Sequence, residues 1–168
     1  MAIKILLTSF TTWLPHQKSN ASDDLLAEMQ KEDANNISFS WLRKLPVNTP
    51  QASIFSINKI EEILPHTVIC CGMAESRSLL TIESRADCGN KLLSTSVDLE
   101  ALIAKLNHTE ISNEAGKFVC EGLYYNVLQH LQKRQLNCQA IFVHVPLLTK
   151  ENSPQIKEDF KLILQSFI

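Results

Sequence analysis

Four short apolar runs rich in β-branched residues, at residues 3–8, 37–42, 67–71 and 140–145, constrain this chain more than any other feature. Each is bounded by polar or turn-forming residues and is too short to be a helix, so each is expected to be a strand buried on both faces, the pattern of a parallel sheet. Between these runs the apolar spacing becomes helical. Ser22 is placed to cap a segment reaching Lys31, with Asp23 and Asp24 in its positively polarised first turn. Ile54, Ile57, Ile60 and Leu64 form a second stripe, and Leu99, Leu102, Ile103 and Leu106 a third. Ser153-Pro154 opens a last helix with Ile156, Phe160, Ile163 and Phe167 facing inward. Residues 79–86 are strand-like as well, and the polar stretch 87–96 is expected to be a loop. Strands alternating with helices predict an α/β fold: a single-domain three-layer α/β/α sandwich over residues 1–168, built on a mostly parallel, twisted sheet.

Charge narrows the partners. Sixteen Lys and Arg face 18 Asp and Glu, for a formal charge of -2, which leaves no positive excess to hold a phosphate backbone or an anionic membrane surface. No nucleic-acid or membrane partner is expected, and the opening MAIKILLTSF is too short to cross a bilayer. The five cysteines are odd in number and show no C-x-x-C or Cys/His zinc spacing, which fits reduced thiols in the cytoplasm. His16, His66, His108, His130 and His144 do not fall on one helix face, so neither a metal nor another cofactor is expected. A homo-oligomer is compatible with the sequence but not specified by it.

The residues able to carry chemistry are few. In TEISNEAGKFVCEGLYYNVLQHL a short strand passes through a turn at Asn113 and Gly116 into a helix backed by Leu123, Val127 and Leu131, which puts Cys120 in the first helical turn. Unpaired N–H groups and the helix dipole there favour a thiolate, as a cysteine nucleophile requires; a buried structural cysteine is the alternative. His144 ends the apolar run AIFVHVP, where a strand's carboxyl edge could present it to a thiol, or where it could simply be structural. Glu83 sits between Leu80, Ile82 and Arg85, and needs a partner if it is buried and none if it faces solvent.

Taken together these segments resemble pyroglutamyl peptidase type I, the pyrrolidone carboxyl peptidase family, along nearly the whole chain. The matching stretches are ILLTSFTTW, LPVNT, HTVICCGMAESRSLLTIESRA, ISNEAGKFVCEGLYYNVL and FVHVP. The most specific are an acid after G-x-A-x-x-R and the run S-N-x-A-G-x-F-V-C. The resemblance implies an omega-peptidase that cleaves the amide after an N-terminal pyroglutamyl residue, with peptides or amides bearing that residue as its partners. It implies that Cys120 is the nucleophile, His144 the base and Glu83 the acid that orients it, acting through a thioester. It also implies that Phe10, Trp13, Phe118 and Val119 line a pocket for a neutral five-membered lactam; read without the family, all four could fill the core.

The chain departs from the family's pattern in three places. The first loop carries Ser9, Thr11, Thr12 and LPHQKSN in place of a glycine-rich turn, so it must take another path. Glu121 follows the nucleophile, and a carboxylate there opposes a thiolate unless it points away. The segment RADCGNKLLSTSVDLEALI is shortened, with Arg85 the nearest cation to Glu83 on its strand. Two further functions stay open at this point: a cysteine amidase acting on another small lactam or acyl amide, and a non-catalytic binding protein that keeps the fold.

Overall fold

The computed structural model describes residues 2–32 and 37–168. In chain order the elements are β1 (Ile3–Phe10), α1 (Ala21–Met29), β2 (Ile37–Leu45), α2 (Thr49–Ile63), β3 (Thr67–Met73), β4 (Leu80–Glu83), β5 (Arg85–Cys88), β6 (Lys91–Ser94), α3 (Leu99–Ile103), β7 (Thr109–Ser112), α4 (Val119–Lys133), β8 (Gln139–Val145) and α5 (Ser153–Gln165). Six strands form one sheet in the order β2-β1-β3-β8-β4-β7. Four of its five ladders are parallel and one, between β4 and β8, is antiparallel. The expected α/β sandwich with a mostly parallel sheet is what the chain forms.

Alternation along the strands divides the core in two. Ile5 and Leu7 of β1, Ile69 and Cys71 of β3, Ile141 and Val143 of β8, and Leu80 and Ile82 of β4 pack against α1, α3 and α5. Leu6 and Phe10, Val68 and Cys70, and Ala140 and Phe142 pack on the other side, against α2 and α4. The same parity puts Gly72, Thr81, Glu83 and His144 on the α4 side of the sheet. The register seals the arrangement: Gly72 is paired with His144, and His144 with Thr81.

Several local expectations are corrected. The cap of α1 is Asn20, whose side chain accepts from the Ser22 N–H at 3.0 Å and the Ser22 hydroxyl at 2.6 Å; Ser22 itself is buried inside the first turn. Of the stripe assigned to α2, Ile60 is buried as expected and Ile57 half-buried, but Ile54 and Leu64 are not on the buried face. Ile54 is 57% exposed and Leu64 is the left-handed C-cap, while Ala52, Ser53, Ser56 and Ile60 face inward. Small residues are needed there because α2 and α4 approach closely: a Cβ on Gly122 would lie 2.5 Å from the Thr49 methyl. Residues 87–96 are not a plain loop, since β5 and β6 form an antiparallel hairpin around Gly89 at φ +65°. Its signal was the two-residue turn Gly89-Asn90 between strand-like residues. The strand expected over 79–86 is broken at Ser84 into β4 and β5.

Candidate active site

Glu83 is fully buried, and His144 is 5% exposed. His144 Nδ1 lies 2.7 Å from Glu83 Oε1. A carboxylate at that distance accepts the Nδ1 proton, which leaves Nε2 with its lone pair free to act as a base. The imidazole also packs on Phe142, with ring centroids 4.8 Å apart, and Phe142 in turn on Tyr124. The Tyr124 hydroxyl donates to the Glu83 backbone carbonyl at 2.9 Å, tying α4 to β4 beneath the pair.

The cation on Glu83 is Arg77, not Arg85. Arg77 Nη1 stands 2.5 Å from Glu83 Oε1 and also donates to the Thr81 hydroxyl, while Nη2 donates to the Glu114 carbonyl at 2.9 Å. Arg85 is exposed and donates to the Asn113 carbonyl at 3.1 Å. Burial works to raise the Glu83 carboxyl, but hydrogen bonding from His144 and Arg77, together with the His144 charge, holds it below the ordinary carboxylate range. Ser112 acts as the register neighbour on β7; its hydroxyl bonds at Glu114, and Glu83 Oε2 has no hydrogen-bond partner. Arg77 was present in the sequence as the last residue of G-x-A-x-x-R, and its distance from Glu83 along the chain hid the pairing.

Cys120 stands in the first turn of α4, whose N-cap is Phe118. Phe118 supplies no capping hydrogen bond to the first turn of the helix. The thiol sits directly over Gly72: a Cβ at residue 72 would lie 2.6 Å from Cys120 Sγ and 2.9 Å from Phe142 Cζ. Gly72 pairs with His144 across the ladder, and the thiol seated on Gly72 and the imidazole of His144 line one cavity. Burial pushes the Cys120 thiol up to about 12, with Cys70 and Glu83 adding to the effect and Arg77 and the helix N–H opposing it. Burial thus works against the thiolate that the position in the first helical turn favours. Glu121 does point away, accepting the Asp87 N–H at 3.0 Å.

That cavity encloses about 580 Å³ and is lined by Phe10, Trp13, Leu14, Asn20, Val47, Thr49, Met73, Ala115, Phe118, Val119, Cys120 and His144. All four residues expected to line a pocket are there, in different states. Phe10 is a core side chain that shows one face, Val119 is half-buried, Trp13 is 43% exposed, and Phe118 is 85% exposed at the mouth. A second cavity of about 600 Å³ lies between β6 and the C-terminal end of α4, and its only titratable lining residue is Cys138, so it offers no acid–base pair.

Gly72→Ala tests the seating of the thiol. The added methyl must displace Cys120 Sγ or the Phe142 ring, and a shift of this kind typically costs about 10²-fold in rate through misplacement, with about 1–3 kcal/mol of stability lost to overpacking. Steady-state kinetics should show the loss in kcat, with a lowered melting temperature; a variant with unchanged kcat would mean that Cys120 is not held by this contact.

Comparison with known proteins bears on this arrangement. Residues 93–161, which include Cys120 and His144 but not Glu83, match the family model for pyroglutamyl peptidase. The pyrrolidone-carboxylate peptidase of Thermoanaerobacter sp. (strain X514) is 30% identical over 87% of this chain and 83% of its own length. That of Brachyspira hyodysenteriae is 27% identical over 94% and 92%. Among solved structures, pyroglutamyl peptidase I from Bacillus amyloliquefaciens superposes with a TM-score of 0.86 at 17% identity, over 100% of this chain and 96% of that one. The pyrrolidone carboxyl peptidase of Thermococcus litoralis gives 0.84 at 19%, over 97% and 92%.

Proposed function

The chain belongs to the pyroglutamyl peptidase family and is a cysteine omega-peptidase, and we propose that Cys120, His144 and Glu83 carry its chemistry on peptides and amides that begin with a pyroglutamyl residue. The observation that supports this assignment best is the 2.7 Å bond from His144 Nδ1 to the buried Glu83, beside a thiol seated on the register partner of that same histidine. As Cys120 Sγ attacks the scissile carbonyl, its proton passes to His144 Nε2, and the imidazolium formed is stabilised by Glu83, itself held by Arg77. The carbonyl oxygen becomes an oxyanion facing the uncapped N–H groups at the start of α4. His144 then gives its proton to the leaving amine, and water, activated by the same imidazole, hydrolyses the thioester.

The strand order supplies a direction. Phe10 ends β1 and Trp13 follows it, and His144 is the residue before the end of β8, with β3 between the two strands. The lactam therefore sits on the β1 side of Cys120, between Phe10, Trp13, Phe118 and Val119, and the leaving amine on the β8 side. A neutral ring loses little hydration on entering such walls, whereas an open glutamyl residue brings an ammonium and a carboxylate that they cannot pair. The amidase and binding-protein readings are not favoured, given peptidase relatives and a site with all three reactive groups. We place the activity in the cytoplasm, where the five free cysteines stay reduced, within one domain spanning residues 1–168. Among the described residues, no helix is long and apolar enough to cross a membrane.

Release of a fluorescent amine from pyroglutamyl, glutamyl and alanyl amides tests the assignment. Turnover confined to the pyroglutamyl amide is expected. Equal turnover of the pyroglutamyl and glutamyl amides would remove the lactam pocket.

A further inference from the structure

The loop from Thr11 to Ser19 carries the aromatic wall of the cavity, contains no glycine, and yet holds Trp13 and Leu14 against the site. Both ends of the loop are anchored: the Thr11 N–H donates to the Leu45 carbonyl at 3.0 Å, and the Asn20 amide donates to the Thr11 carbonyl at 3.0 Å. The middle is gathered by a single side chain. Gln17 Oε1 accepts the backbone N–H of Trp13 at 2.9 Å and that of Leu14 at 3.2 Å, and the Gln17 N–H donates to the Leu14 carbonyl at 3.1 Å. The other end of the same amide, Nε2, donates to Glu75 Oε1 at 2.9 Å, and His16 Nε2 lies 3.2 Å from that oxygen.

Glu75 belongs to the turn that follows β3, where the Arg77 N–H donates to the Ala74 carbonyl at 3.1 Å. That turn runs directly from the strand that seats Cys120 to the arginine that holds Glu83. The aromatic wall is thus bolted to the segment that positions the catalytic groups, through one amide and one carboxylate.

We propose that Gln17 and Glu75 are positioning residues for substrate binding: together they clamp the Trp13–Leu14 wall over the lactam. This rests on the pyroglutamyl-peptidase assignment of the site. Without the clamp the wall must be ordered anew by each substrate, so apparent affinity falls by the fraction of time the wall is in place, while the acid–base groups, which lie in the sheet, are untouched. The two ends of the Gln17 amide have separate duties. Glu75→Gln keeps an acceptor for Gln17 Nε2 and should behave nearly as the wild type. Glu75→Ala releases the tether, and Gln17→Glu keeps acceptors for Trp13 and Leu14 but repels Glu75; both should weaken binding.

The experiment uses two readouts on the full chain. In a Trp41→Phe background Trp13 is the remaining indole of the two tryptophans, and its emission and acrylamide quenching report the wall directly. Gln17→Ala should red-shift that emission and increase quenching. On a pyroglutamyl amide it should raise KM roughly tenfold with kcat within about twofold of the parent, the split that marks lost ground-state and transition-state binding alike. Retention of parental KM by Glu75→Gln, beside loss in Glu75→Ala, completes the expected set. Unchanged quenching in Gln17→Ala overturns the clamp whatever the activity, and so does a fall in kcat with KM unchanged. If the parent turned over no pyroglutamyl amide, the substrate assignment would fall while the quenching series still decided the clamp.

Discussion

Cys120→Ser should lose at least about 10⁴-fold in kcat/KM, the scale seen when a nucleophile is removed from a unit that works together. A serine hydroxyl in this place is harder to deprotonate than a thiol that burial already holds at about 12, so the weaker nucleophile gains nothing from the apolar setting. The other four cysteines provide the control. Cys70 and Cys71 lie fully buried within β3, where burial pushes Cys70 up to about 12 and Cys71 well above its ordinary value. Cys138 precedes β8 at the far end of α4, and Cys88 is exposed on the hairpin. None shares a cavity with a histidine, so Cys138→Ser and Cys88→Ser should keep parental turnover in the fluorescent-amide assay. Parental activity in Cys120→Ser, or its loss in a soluble Cys138→Ser, would sink the assignment.

Glu83→Gln should lower kcat by about 10³–10⁴-fold with little change in KM, because an amide opposite Nδ1 no longer selects the tautomer that leaves Nε2 basic and no longer steadies the imidazolium. The same change leaves Arg77 facing a neutral group. Removing one partner of a buried pair costs about 3–5 kcal/mol, and the lower end applies here because Arg77 is partly exposed and keeps the Glu114 carbonyl. The melting temperature should fall accordingly. The dependence on pH has a definite sign: a carboxyl held below its ordinary value of 4.5 contributes stability above that value and loses it as pH falls through the depressed one. Asp23, Glu28, Glu61, Glu75 and Glu151 are also held below their ordinary values, so the acid limb of the melting temperature should be shallower in Glu83→Gln than in the parent rather than absent. A kcat within a few-fold of the parent would leave Glu83 as a structural acid only.

The particular residues show what was legible before the fold was known. Periodicity found β1, β2, β3 and β8, but only the register of the folded sheet sets Gly72 opposite His144. What periodicity could not supply was direction. Leu80 to Glu83 alternates in the same way whether the strand runs with β8 or against it, and it runs against it. Glu83 therefore does not lie beyond a carboxyl edge, where reactive groups of parallel sheets gather, but within the ladder, opposite Phe142. Arg77 and Arg85 flank the same acid, and only the closing of the turn after β3 decides between them. On α2 the apolar stripe locates Ile60 but misses Ala52, Ser53 and Ser56, which tight packing against α4 selects in place of Ile54 and Leu64. Side-chain volume, which no helical period encodes, made that choice.

Placing Glu83 inside the β4–β8 ladder divides the molecule for anyone wishing to redesign it. The proton-handling pair we propose is built from strand residues whose neighbours are fixed by backbone hydrogen bonds, and beyond the ladder it is held by Arg77 of the turn after β3, which rests on the Glu114 carbonyl. Of the walls we assign to the substrate, Phe10 belongs to β1 and Val119 to α4, whereas Trp13 and Phe118 come from residues 11–19 and 113–118, which contribute no strand to the sheet. New acyl preferences can therefore be sought by rewriting those two segments as exchangeable parts, with the ladder retained as a reusable chassis.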